Sequence, residues 1–99
     1  MRAFLEAVEE HSPVQSACLF GSHARGEAGL GSDIDLAVVS EAFSARSFED
    51  NVAISRLTWG IETRIEPIAL RPEALQSDTP LMAEIRRNGI LVYPTGDNG

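Results

Sequence analysis

Residues 33 to 39 read Asp-Ile-Asp-Leu-Ala-Val-Val, two aspartates one residue apart at the mouth of an apolar run. Side chains alternate across a strand, so Asp33 and Asp35 project from one face while Ile34 and Leu36 project from the other. Neighbouring carboxylates oppose each other's ionisation unless a cation stands between them. A strand that begins this way must open at a polar edge of the core, and the hard oxygen donors it offers there suit Mg2+ or Mn2+, which share their coordination with substrate phosphates.

The segment before this strand is equally constraining. Residues 14 to 20, Val-Gln-Ser-Ala-Cys-Leu-Phe, read as a strand that Gly21 ends, and residues 21 to 32 are too polar and glycine-rich to be core. Gly21 lets the backbone approach a phosphate closely, Ser22 adds a hydroxyl, and the N–H groups of a following helical turn would point at the anion. Arg25 offers a cationic contact, or else pairs with one of the surface carboxylates. The stretch Gly-Ser-His-Ala-Arg-Gly-Glu-Ala lacks the Lys-Ser/Thr ending of a Walker A loop.

Around these two strands the remaining pattern predicts a helix over 2–10 with Ala3, Phe4, Ala7 and Val8 inward. A second helix starts at a Ser47/Asp50 capping pair and turns Phe48, Val52, Ala53 and Leu57 inward as far as Gly60. Residues 63–70 read as a third strand, at a sheet edge because Pro67 cannot donate to a ladder. Thr79 caps a final helix beginning at Pro80, with Leu81, Met82 and Ile85 inward and Gly89 as its stop. Residues 90–93 are a short apolar ending. The order predicts an α/β (α+β) fold, a small mixed β-sheet with helices mainly on one face. Residues 1–93 are expected to form a single domain and 94–99 a flexible tail.

Composition narrows the partners. Fifteen carboxylates against eight basic side chains give a net charge of −7, which repels a phosphate backbone and excludes long nucleic acid as a resident ligand. A nucleotide screened by metal ions remains compatible. One cysteine, Cys18, allows no intrachain disulfide and no cysteine metal cage, and inside an apolar strand it reads as core filler. His11 and His23 read as solvated surface side chains, and Trp59 and Tyr93 as either core or partner surface. No apolar stretch has the length to cross a bilayer and no signal peptide is evident, so a cytoplasmic protein is expected.

Gly21-Ser22, a ten-residue spacer, then Asp33-Ile34-Asp35 resembles the signature of the DNA polymerase β-like nucleotidyltransferase superfamily. The finer pattern, Arg25-Gly26 with Ser32-Asp33-Ile34-Asp35-Leu36, is similar to its minimal nucleotidyltransferase branch, as are the chain length and element order. The resemblance implies two Mg2+ or Mn2+ ions and transfer of a nucleoside monophosphate, AMP from ATP, to an acceptor. It implies Asp33 and Asp35 as catalytic metal ligands, Gly21, Ser22 and Arg25 as nucleotide-binding residues, and a third carboxylate from a later strand. Glu66 is the candidate for that third ligand, where the superfamily more often has aspartate, with Glu62 in reserve. Members of this branch commonly serve as antitoxins beside a HEPN-family protein and adenylylate a tyrosine of that toxin. The implied partner is therefore a HEPN-family protein, in a homo- or hetero-oligomer. The alternative is a binding module that keeps the fold and neutralises its partner by covering it. An antibiotic-modifying transferase fits less well, since such enzymes add a domain for their acceptor.

Overall fold

The computed structural model describes residues 2–27, 29, 33–44, 48–61 and 64–94. In chain order these form α1 (Arg2–His11), β1 (Ser16–Phe20), α2 (Ser22–Arg25), β2 (Ile34–Val39), α3 (Phe48–Arg56), β3 (Ile65–Leu70), a 3-10 turn (Pro72–Gln76), α4 (Pro80–Asn88) and β4 (Ile90–Tyr93). The strands make one four-stranded sheet in the order β3-β2-β1-β4. β2 runs parallel to β3, and β1 pairs antiparallel with both β2 and β4. This is the small mixed α+β sheet that the order of elements predicts. Ser32, Ser47, Glu62 and the segment 95–99 lie outside the described residues.

β3 is an edge strand. The N–H of Ala69 points away from β2 and donates to Asn51 Oδ1 of α3 at 2.8 Å. Pro67, two residues earlier, shares that outward direction, so its missing N–H takes nothing from the β2–β3 ladder. The opposite edge, β4, is a strand that four apolar residues do not announce on their own; pairing of Cys18 with Leu91 and Leu19 with Ile90 defines it.

Alternation along the strands divides the core in two. On one face Ala17, Leu36, Val38, Ile65 and Ala69 pack with Phe4, Leu5 and Val8 of α1, with Phe43, and with Ile54 of α3. On the other, smaller face, Phe20 and Ala37 pack with Met82 and Ile85 of α4, flanked by Cys18, Ile68 and Leu70. Burial pushes the pKa of the half-buried Cys18 thiol up.

Three helix faces depart from the pattern read above. α1 buries Leu5 rather than Ala3, which is exposed. In α3, Phe48 is 74% exposed and Val52 also faces solvent, while Ile54 is fully buried. Asn51, which accepts from the Ala69 N–H, Ile54, which is buried in the core, and the buried Thr58, spaced three and four apart, face the sheet, and this turns Phe48 and Val52 away. In α4, Met82 and Ile85 are buried but Leu81 is exposed. α4 starts as predicted, with Thr79 Oγ1 accepting from the Met82 N–H at 3.2 Å and Pro80 at the first helical position.

Candidate active site

The candidate residues gather where β1 ends and where β2 and β3 begin. Phe20 of β1 is the neighbour of Asp35 on β2, and Asp35 is in turn the neighbour of Glu66 on β3. Asp35 shares its sheet face with Ala37, and Glu66 with Ile68, so both carboxylates project on the side covered by α4. Asp33 stands just before β2 and is exposed; Asp35 is half-buried and Glu66 exposed.

Parallel pairing of β2 with β3 is what joins the third carboxylate to the first two. Asp33 raises the pKa of Glu66 above the ordinary 4.5, first as a hydrogen-bond partner of the protonated carboxyl and then through its negative charge, with smaller pushes from burial and from the charge of Asp35. Two carboxyls can share such a bond only if one carries a proton, and a cation can stand in for that proton. The donor set of Asp33, Asp35 and Glu66 therefore has the chemistry of a hard-metal site, though among the described residues no three ligating side chains are gathered around one point.

Gly21 is fixed by two independent constraints. Its φ of 71° and ψ of −149° lie in a region open almost exclusively to glycine. A Cβ at this position would run into Oδ2 of Asp35. The turn between β1 and α2 thus brings bare backbone against one of the acidic side chains. Ser22 follows as the first residue of α2, where the Gly21 carbonyl accepts from the Arg25 N–H at 3.1 Å and the Ser22 carbonyl from the Glu27 N–H at 2.9 Å. The helical turn expected after Gly21 is present as α2.

Arg25 is held by two carboxylates. Its Nε donates to Glu27 Oε1 at 3.0 Å and its Nη1 to Glu84 Oε2 of α4 at 2.9 Å. Its involvement with Glu84 has no local sequence signal, since the two residues lie 59 positions apart. His23 is not the solvated side chain that its polar surroundings imply. It is half-buried in α2, and its Nδ1 is sealed from solvent with no hydrogen-bond partner among the described residues. A pocket lined by Ser44, Leu70, Arg71 and Glu73 lies at the other end of β3 and includes none of the motif residues.

The raised pKa of Glu66 has a sign that can be checked. A carboxyl that binds its proton more tightly in the folded state than in the unfolded state makes the fold less stable as pH rises from 4.5 through the raised value. With metal removed by EDTA, the thermal midpoint of the wild type is expected to decline over that interval more than that of Glu66→Gln. The effect is small because the group is exposed and screened. Parallel curves for the two proteins would remove the Asp33–Glu66 interaction as a contributor.

A family model described as a nucleotidyltransferase domain matches residues 1–91 of this chain. Two solved structures share its fold. One is a protein from Sulfolobus solfataricus assigned as a nucleotidyltransferase, 24% identical, with a TM-score of 0.65 over 91% of this chain and 73% of the other. The second is a toxin–antitoxin crystallised with AMP-PNP, 17% identical, with a TM-score of 0.64 over 95% of this chain and 73% of the other. No curated protein matches significantly.

Proposed function

The chain belongs to the nucleotidyltransferase domain family, and from that premise we propose that it transfers AMP from ATP, with Mg2+ or Mn2+, to a hydroxyl of a protein acceptor. The observation that carries this reading is the pairing of Asp35 on β2 with Glu66 on β3, with Asp33 just ahead of β2 and the backbone of Gly21 against Asp35. Asp33 and Asp35, with Glu66, are the residues that would hold the metal. When bound, the metal would neutralise phosphate charge and polarise the reacting oxygens.

The chain's own residues carry the remainder of the proposal. Gly21, through its backbone, and the Ser22 hydroxyl bind the β and γ phosphates, and Arg25 adds positive charge beside them. The acceptor oxygen attacks the α phosphorus, the bond to the bridging oxygen breaks, and pyrophosphate leaves. Glu66 either completes the metal-binding set or takes the proton of the acceptor hydroxyl. The resemblance of Gly21-Ser22, Arg25-Gly26 and Asp33-Ile34-Asp35 to the minimal nucleotidyltransferase branch makes a HEPN-family toxin the proposed acceptor and gives this chain an antitoxin role; a toxin–antitoxin crystallised with AMP-PNP shares its fold.

Incubation with ATP labelled at the α phosphorus and a purified HEPN partner is expected to label the partner in Mg2+ and to leave it unlabelled in EDTA. Absence of transfer under both conditions would count against the reading. A second reading, neutralisation by binding alone, is favoured by the exposed Phe48 and Trp59, each 74% accessible. Full neutralisation by a protein lacking Asp33 and Asp35 would select it. No helix among the described residues is long and apolar enough to cross a membrane.

A further inference from the structure

We propose that Glu84 of α4 is the positioning residue for Arg25, holding its guanidinium so that the Nη2 edge, which has no partner among the described residues, is presented to the anionic phosphates of a nucleoside triphosphate. The proposal rests on the nucleotidyltransferase reading above and adds to it a residue outside the motif.

The two carboxylates that grip Arg25 are unequal. Glu27 lies two residues along the same segment, and its side chain is 62% exposed, so it moves with Arg25 and gives it no external reference. Glu84 belongs to a helix anchored in the core by Met82 and Ile85, and its side chain is only 29% exposed. Its second oxygen, Oε1, accepts from Asn88 Nδ2 one turn further along α4 at 3.2 Å. The carboxylate is thus itself held, and its bond to Arg25 ties α2 to the body of the fold.

The guanidinium carries five N–H donors in a rigid planar fork. With Nε on Glu27 and Nη1 on Glu84, its orientation is set, and among the described residues Nη2 has no partner. α4 covers the sheet face from which Asp35 and Glu66 project, so the clamp stands on the same side of the sheet as the acidic cluster. A long cationic side chain fixed in this way meets an anion without first giving up its rotamer freedom.

Calorimetric titration with AMP-PNP and Mg2+ tests this on the whole chain. Glu84→Ala is expected to weaken binding by about threefold to tenfold, in the range of a partly exposed charged pair. Glu84→Gln, which keeps an acceptor oxygen for Arg25, is expected to stay near the wild type. In an Arg25→Ala background, Glu84→Ala is expected to make no further difference, because its effect acts through that arginine. An equal additional loss in that background would overturn the proposal, as would unchanged or tighter binding by Glu84→Ala alone.

Arginine side-chain NMR gives a second readout that does not depend on the folding of any variant. The Arg25 guanidinium of the wild type is expected to keep its restricted rotation when AMP-PNP and Mg2+ are added. Freed rotation would mark Glu84 as a competitor for Arg25 and overturn the positioning role. Wild-type binding that Asp35→Asn abolishes, with every Glu84 variant at the wild-type level, would refute the positioning role and leave the nucleotide reading intact. No binding by the wild type would overturn both.

Discussion

Asp35→Asn is expected to lower nucleotidyl transfer by about a thousandfold or more while leaving the fold intact. Asp35 is the carboxylate with neighbours on both sides in the sheet, Phe20 on β1 and Glu66 on β3, and its Oδ2 lies against the bare backbone of Gly21. Asparagine has nearly the same shape and retains one carbonyl oxygen, so the packing is conserved while one anionic acceptor oxygen becomes a neutral N–H donor. Loss of one anionic ligand from a metal-assisted displacement removes about 4 kcal/mol of transition-state stabilisation, which corresponds to that factor in rate. Stability without metal is expected to be equal or slightly higher, since one of three neighbouring negative charges has gone. Measurement of label transfer and of the denaturation midpoint on the same preparation separates the two effects. Transfer retained at the wild-type rate would remove Asp35 from the machinery.

Gly21→Ala carries the second large effect, and it falls on the fold and the site together. The backbone conformation at this residue is costly for any side chain, by about 1–3 kcal/mol. The added methyl must also displace the Asp35 carboxylate, so a total loss of about 2–4 kcal/mol is expected. For a chain of this size that lowers the thermal midpoint by about 10 °C or more. Gly26 provides the comparison. It also has a positive φ, 76°, but nothing lies within 4 Å of the position its Cβ would take. Gly26→Ala is therefore expected to cost about 1–2 kcal/mol from backbone strain alone and to leave AMP-PNP binding as in the wild type. Equal losses of binding in both variants would show that the contact between residue 21 and Asp35 does not matter to the site.

Asp35 was legible as a strand residue because alternation is a local rule that puts it on the face of Ala37, whereas β2 begins at Ile34 and leaves Asp33 just ahead of the strand. Gly21 was legible as the end of β1, and Pro67 as the mark of an edge. Glu66 could be named only as one of two candidates, because its meeting with Asp33 depends on β3 pairing parallel to β2 in one register, and no residue near Glu66 encodes that register. The face of α3 was misread for a related reason. Phe48 and Val52 give a helical stripe, but burial of Ile54 and the hydrogen bond from the Ala69 N–H to Asn51 favour the other face. Glu84 and the sealed Nδ1 of His23 had no signal at all, since both follow from how α2 seats against distant elements.

The parallel pairing of β2 and β3 also has a consequence for the order of assembly. β1, Gly21 and β2 form an antiparallel pair whose contacts are close along the chain, whereas Glu66 reaches Asp33 only after the connection through α3 has crossed and docked. Closing so distant a pairing is entropically costly and slow compared with a hairpin. A nascent chain that has emerged only as far as β2 carries two of the three carboxylates and the glycine turn but no third acid. The pairing of Asp35 with Glu66 exists only once the crossover is in place, so the proposed transfer, if it uses Glu66, waits for folding at least as far as β3.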